Sequence, residues 1–157
     1  MKKRFLVLLV VVMLTVVPAF AEKAGSMIGT FGFGFTSFKE NNDSDASVAL
    51  SVDLDFISEW GIVISIGDMV NFVMDEYIYN LPYIGFGYRY LAEKWDIGIS
   101  LIVVPVELAG DALIGVKING SYWITDSFGL TLTMMPGFGA VSDISAFSMR
   151  AGISVRL

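Results

Sequence analysis

Apolar residues alternate with small or polar residues along most of the chain. Residues 27–36 read MIGTFGFGFT, with phenylalanine at every second position from Phe31 to Phe35. A period of two is typical of a β-strand whose two faces differ. Seven further segments show the same alternation: 47–56, 60–67, 81–90, 95–103, 113–124, 128–138 and 147–157. The pattern therefore predicts eight strands, an even number, as single-chain bacterial membrane barrels have.

The connections between these segments alternate between short and long. Short turns are predicted at 57–59, 91–94 and 125–127, and longer loops at 37–46, 68–80, 104–112 and 139–146. Short turns at one rim and longer loops at the other are typical of an antiparallel up-and-down barrel with periplasmic turns and extracellular loops. The last strand is expected to pair with the first, because hydrocarbon leaves no water to satisfy an open sheet edge.

The composition of the polar face indicates which face points outward. A soluble lipocalin-like barrel has the same alternation, but its polar face is solvated and rich in charge. Here that face consists mostly of Gly, Ser, Thr and Asn, and charged residues make up only 17% of the chain against 55% hydrophobic residues. Small residues suit the crowded bore of a narrow barrel. We therefore predict an all-β, eight-stranded antiparallel transmembrane β-barrel with bulky side chains toward lipid.

The first residues have the pattern of a cleaved signal peptide. Basic residues at positions 2–4 precede an apolar run and the sequence Ala19-Phe20-Ala21, which predicts cleavage after Ala21. The alternative is an uncleaved anchor, for which the run is short. Residues 22–157 then form one barrel domain. Seven basic residues remain against 16 acidic ones, a net charge of −9, which argues against nucleic acid as a partner.

With this strand pattern the chain resembles the small outer-membrane β-barrels of Gram-negative bacteria, of the type of OmpX and the OmpA transmembrane domain. The resemblance implies a location in outer-membrane lipid. It also implies that the outer-membrane assembly machinery is a partner during biogenesis and reads the final strand. Ile153, Val155 and Leu157 match the alternation of that signal, although the family usually ends on Phe.

Charged residues on the polar face are expected to pair inside the barrel, because an unpaired buried charge is costly. A four-residue turn at 91–94 would place Arg89 opposite Asp96. Two interpretations remain open, a plug of ion pairs and a narrow polar path for ions or small solutes. The predicted lumen network comprises Asp53, Asp55, Arg89, Asp96, Lys117, Arg150 and Arg156.

Aromatic residues near the three short turns predict a belt at one membrane interface. Its predicted members are Phe56, Trp60, Tyr90, Trp95 and Phe128. Trp123 falls on the polar side of its strand, and the alternation does not account for it. Glu107 and Asp111 could be read as cation ligands, but two acids in a loop are more often solvated charge, so no metal site is predicted.

The chain contains no His and no Cys. Catalysis by Ser-His or Cys-His pairs is therefore impossible, and neither an enzyme activity nor a cofactor is predicted. The favoured function is a non-enzymatic outer-membrane protein with a structural or surface-contact role. The alternatives are a narrow channel and, less favoured, a secreted soluble ligand-binding barrel.

Overall fold

The computed structural model describes residues 24–40, 43–72, 78–106, 111–140 and 143–157, so the predicted signal peptide lies outside the described residues. None of these residues belongs to a helix long and apolar enough to cross a membrane. They form the strand segments β1 (Ala24–Glu40), β2 (Asp43–Ser58), β3 (Ile62–Phe72), β4 (Ile78–Asn80), β5 (Tyr83–Leu91), β6 (Trp95–Val106), β7 (Asp111–Trp123), β8 (Phe128–Gly139) and β9 (Ile144–Arg156).

Neighbouring strands are antiparallel, and the sheet closes on itself because β1 pairs with both β2 and β9. β4 and β5 both pair with β3 and are separated only by Leu81 and Pro82. The backbone N–H of Leu81 donates to Met69 O at 2.8 Å, and that of Met69 donates back at 3.3 Å. β4 and β5 are thus two parts of one strand, and the predicted eight-stranded barrel is confirmed.

The strand register determines how strongly the strands tilt around the barrel. A path through paired residues runs from Ile28 through Asp55, Ser65, Gly85, Ile102, Gly115, Gly137 and Ala146 to Phe38. It therefore returns to β1 at position 38 rather than 28, a stagger of ten residues. An eight-stranded barrel with this kind of stagger has strands tilted by about 40° and a bore that side chains fill.

The two faces of the strands have the predicted orientation. Bulky apolar side chains point outward, and Phe33, Phe86 and Leu101 are 60%, 63% and 59% exposed. The inward positions are small or polar and buried, among them Thr30, Ser51, Ser100, Asn119, Thr131 and Ser154. An outer surface covered by Phe, Ile, Leu and Val is unfavourable in water and favourable against acyl chains.

The strands extend further toward the loop rim than the sequence predicts. The pairing of β1 with β2 begins at Glu40↔Asp43 at the loop rim and continues toward the turn rim. Most of the predicted loop 37–46 is therefore a paired hairpin. β3 and β6 likewise continue to Phe72 and Val106. The predicted loops are therefore too long at 37–46, 68–80 and 104–112. Backbone pairing needs no apolar side chain, so a hairpin can continue beyond the apolar segment.

The turns also differ in detail from the prediction. Leu91 pairs with Asp96 and Arg89 with Gly98, so the predicted register of this hairpin is wrong by two residues. Trp60, predicted to begin the third strand, lies in the turn before β3. The next residue, Gly61, has φ +81°, a conformation that favours glycine.

Replacing Gly61 with alanine should destabilise the barrel. A Cβ at this position would lie 2.7 Å from the Tyr88 ring and 2.8 Å from the Arg89 carbonyl oxygen. Together with the positive φ, this predicts a loss of about 1–3 kcal/mol in the free energy of unfolding, measured by urea titration of the protein refolded into lipid vesicles. Gly120→Ala is the control, because its Cβ would meet only the Asp96 carbonyl oxygen at 3.8 Å. Equal losses in both variants would contradict the prediction.

Candidate functional site

The candidate functional site is the interior of the barrel, which is arranged in three layers. A turn-side cluster of apolar residues consists of Ile28, Ile57, Val63 and Trp123. A loop-side cup, also apolar, is formed by Ala49, Met69, Leu81, Tyr83, Ile102, Val104, Leu113 and Met135. The charged network lies between these two layers. Polar groups in such a position are cut off from water and must satisfy one another.

Asp55 is the acceptor for two cations from different strands. Its Oδ2 lies 2.5 Å from Arg89 Nη1, and its Oδ1 lies 2.8 Å from Lys117 Nζ. Ser65 Oγ donates to the same Oδ1 at 2.6 Å. All four side chains are buried. Asp55 therefore links β2, β3, β5 and β7 across the bore.

Asp96 is the second acceptor for Arg89. Its Oδ1 accepts from Arg89 Nε at 2.9 Å and from Nη2 at 2.6 Å, while its Oδ2 accepts from Trp123 Nε1 at 2.6 Å. Ser121 Oγ accepts a further bond from Nη2 at 2.9 Å. The guanidinium is held by two carboxylates and a hydroxyl, a well-satisfied arrangement for a buried arginine.

Asp53 and Arg150 form a looser pair. Arg150 Nη1 lies 3.5 Å from Asp53 Oδ2, and the hydroxyl of Tyr83 donates to Asp53 Oδ1. The ammonium of Lys117 lies 5.5 Å from the centre of the Tyr83 ring, within cation–π range. Tyr83 is thus the member of the loop-side cup that contacts the charged network.

Small residues make room for these large side chains. A Cβ at Gly67 would lie 2.5 Å from the Tyr83 ring and 2.6 Å from Asp53 Oδ1. A Cβ at Gly98 would lie 3.3 Å from Arg89 Cγ. The many glycines on the inner face therefore have a steric role, since a narrow bore cannot hold a charged network and ordinary side chains together.

The structure brings together six of the seven residues of the predicted network. The exception is Arg156, which forms no ion pair with any described residue; its guanidinium carbon lies 4.2 Å from the Trp123 ring. Arg89 reaches Asp96 diagonally, since the two are not opposite in register. The paired members are Asp53, Asp55, Arg89, Asp96, Lys117 and Arg150.

Sequence reasoning missed the role of Trp123. The side chain is buried at the turn end of the lumen, where it packs in the turn-side cluster and donates to Asp96. Its position on the polar side of β7 was a usable signal. A tryptophan suits this end of the polar bore, because its ring covers the opening and its N–H group donates a hydrogen bond to a buried acceptor.

The predicted belt residues differ in exposure. Trp60, Tyr90, Trp95 and Phe128 are exposed on the outer face near the turn rim, and the rings of Tyr90 and Trp95 lie 5.6 Å apart. Phe56 does not fit, because it is only 4% exposed between Met27 and Ile64 in register. The prediction also omitted two exposed tyrosines at this rim, Tyr88 and Tyr122.

The final strand is paired almost to its end. β9 pairs with β1 as far as Arg156↔Ile28, and Leu157 N donates to Met27 O at 2.8 Å. Ile153, Val155 and Leu157 all point outward and are exposed. The residues predicted as an assembly signal therefore form an apolar row on the outer surface of the strand that closes the barrel.

The described residues include no group of three or more acidic side chains placed to hold a metal ion. Glu107 lies outside the described residues, and the structure describes only the backbone of Asp111. The geometry of the lumen thus consists of ion pairs and hydrogen bonds among side chains. Its evident chemical effect is mutual neutralisation of buried charge.

These features, a closed eight-stranded barrel with an apolar outer face and an ion-paired interior, define the fold of the small outer-membrane β-barrels. Among solved structures, Neisserial surface protein A has this fold: its TM-score is 0.59 at 13% identity, covering 82% of this chain and 96% of that one. Ail, the attachment invasion locus protein of Yersinia pestis, gives a TM-score of 0.58 at 10% identity, with 85% and 99% coverage.

A de novo designed transmembrane β-barrel matches as well, with a TM-score of 0.61 at 11% identity and coverage of 86% of this chain and 98% of that one. No protein-family model and no curated protein matches the sequence. At such low identity the shared property is the fold.

Removing the carboxylate of Asp55 should strongly destabilise the barrel. Asp55→Ala leaves Arg89 Nη1 and Lys117 Nζ without their acceptor, which predicts a loss of about 3–5 kcal/mol in unfolding free energy. The double variant Asp55→Ala/Lys117→Met should recover part of this loss, because it removes one of the two orphaned cations.

The measurement is urea unfolding in lipid vesicles, followed by the heat-modifiable mobility of the folded barrel. Asp126→Ala is the control, since Asp126 is exposed in the turn before β8 and its loss should change stability by less than about 0.5 kcal/mol. If Asp55→Ala were as mild as the control, the lumen network would not contribute to stability.

Proposed function

We propose that this protein is a non-enzymatic integral outer-membrane protein with a structural or surface-contact role. The barrel is its membrane anchor, and polar and ion-paired side chains plug the lumen. The observation that carries the proposal is the pairing of Arg89 and Lys117 with Asp55 and Asp96 across the bore, between two apolar layers. A solute crossing the lumen would have to break these pairs.

The proposed location is the outer membrane of a diderm bacterium, reached by way of a cleaved signal peptide. The fold similarity to outer-membrane proteins supports it, as does the apolar outer surface. The short turns would face the periplasm and the longer hairpin β1–β2 the exterior. Outer-membrane lipid would be the permanent partner, and the assembly machinery a transient one that reads the final strand.

A narrow channel for ions or small solutes is the second candidate. The observation in its favour is that ion pairs inside the bore link charged side chains from both halves of the chain, Asp55 and Arg89 with Asp96 and Lys117. The alternative of a soluble ligand-binding barrel has no such support, because it requires the apolar face inside and the structure places that face outside.

Location and orientation can be tested with single cysteines, because the chain contains none. Asp43 lies at the loop rim and Asp126 at the turn rim, and each is replaced by cysteine in a separate variant. On intact cells, a membrane-impermeant maleimide should label only Asp43→Cys, and both sites should be labelled after lysis. The reverse pattern would overturn the orientation, and recovery of unlabelled protein in the soluble fraction would overturn the membrane location.

Lipid contact provides an independent test of the outer face. Spin labels at Leu50, Ile99 and Leu132 should be relaxed by oxygen dissolved in the bilayer and shielded from an aqueous nickel quencher. A label at the exposed turn residue Asp126 is the aqueous control. Quenching of the three strand labels by nickel would contradict a transmembrane barrel.

Conductance distinguishes the plug from the channel. We expect planar bilayers containing the protein to stay silent, and Arg89→Ala to admit transient currents because two carboxylates lose their shared cation. Steady currents through the unaltered protein, changed by Arg89→Ala, would favour the channel.

A further inference from the structure

The loop-side cup contains a small, partly open cavity at the outer end of the lumen. Its volume is about 30 Å³, room for about two water molecules. The wall is almost entirely apolar, formed by Met69, Leu81, Ile102, Val104, Leu113 and Met135. An apolar wall gives water few hydrogen bonds, so the cavity favours an apolar occupant.

A buried cation lies beneath this cavity. Arg150 is only 2% exposed, and its Nη2 donates to the sulfur of Met135, which lines the cup. Ser148, two residues before Arg150 on the same face of β9, lines it too. The guanidinium therefore adjoins the bottom of the cup.

The guanidinium group of Arg150 lacks hydrogen-bond acceptors for most of its donors. Its Nε and Nη1 have no hydrogen-bond acceptor among the described residues, and its nearest carboxylate, Asp53, is 3.5 Å away and already accepts from Tyr83. A thioether is only a weak acceptor. By contrast, Arg89 is held by two carboxylates. A buried guanidinium whose N–H groups lack acceptors destabilises the folded protein unless a ligand supplies those acceptors.

The carboxylates and cations of the network are equal in number but unequally shared. Asp53, Asp55 and Asp96 face Arg89, Lys117 and Arg150, and the half-buried Arg156 adds a further cation at the turn rim. Asp55 and Asp96 are occupied by Arg89 and Lys117. Arg150, with only Asp53 at 3.5 Å, is thus the cation of the network with the weakest anionic partner.

We propose that the loop-side cup is a binding site for a short aliphatic monocarboxylate that enters from the loop rim. The carboxylate would take the free Nε donor of Arg150 and displace the weakly accepting Met135 sulfur from Nη2. It would then bind the Nε–Nη2 edge side-on, a geometry that guanidinium groups favour. The alkyl chain would lie among the Met, Leu, Ile and Val side chains. Met69 and Met135 are flexible enough to widen the cavity around a chain of several carbons.

The experiment uses the folded protein in lipid nanodiscs with methyl-labelled methionines. Titration with hexanoate should shift the methyl resonances of Met69 and Met135 and saturate. Hexan-1-ol, which has the chain without the charge, should bind at least tenfold more weakly, and hexylammonium should not bind in the cup. Equal responses to all three would show partitioning of alkyl chains only and overturn the proposal.

Two variants distinguish the contribution of the carboxylate to binding from that of the alkyl chain. Arg150→Met should weaken hexanoate at least tenfold and leave hexan-1-ol unchanged. Gly137→Leu should exclude both compounds, because Gly137 lines the cavity and its Cβ would meet only ordinary contacts, the closest at 3.6 Å. Since Gly137→Leu keeps Arg150 in place, it tests the site even if Arg150→Met fails to fold.

The matched control for charge removal is Lys39→Met. Lys39 is an exposed cation near the loop rim of β1, and its loss should leave hexanoate binding unchanged. If Lys39→Met weakened binding as much as Arg150→Met, attraction to the surface would explain the effect. Unaltered hexanoate binding in Gly137→Leu would also overturn the assignment of the cup.

Discussion

Backbone hydrogen bonding is the constraint on which the rest of this structure depends. In hydrocarbon each unpaired N–H or C=O group costs several kcal/mol, and a sheet avoids that cost only by closing. Here closure is made by β1 and β9, which pair along thirteen consecutive positions from Ile28↔Arg156 to Glu40↔Ile144. The same constraint explains why the break at Leu81 and Pro82 does not open the barrel, since Leu81 still exchanges backbone hydrogen bonds with Met69. The requirement is met by the backbone, so it leaves the side chains free to vary.

Closure with only eight strands limits which side chains the interior can hold. The bore is narrow enough to be filled by side chains, so large charged residues fit only where neighbouring positions are small, as at Gly67 and Gly98. Charges taken out of water must pair. The pairs around Asp55 and Asp96 meet this condition, and the pair of Arg150 with Asp53 meets it only in part. The interior is thus well satisfied around Asp55 and Asp96, whereas Arg150 below the loop-side cup and Arg156 at the turn rim keep donors without an acceptor among the described residues.

The difference between the two arginines of the network, Arg89 and Arg150, connects the two proposals. The turn side, with Trp123 above the turn and Arg89 held by two carboxylates, has the features of a permanent closure. The loop side combines apolar walls with a cation that lacks acceptors, the features of a ligand site. A barrel closed at one end and receptive at the other can bind a small molecule without conducting it. The proposed anchoring role and the proposed carboxylate site are therefore compatible.

Alternation in the sequence determined the strand number and which residues share a face, the charged ones included, because a period of two along each strand is a local property. The lengths of the connections determined the antiparallel order, and the composition of the polar face determined which face points outward. Only the tertiary structure decided the register, because it depends on how each turn folds. Arg89 consequently pairs with Gly98 and meets Asp96 diagonally. It also decided that Phe56 is covered by its neighbours, that Trp123 closes the lumen, and that Arg150 lies under an apolar cup. Those positions depend on contacts between strands far apart in the chain, which no local pattern encodes.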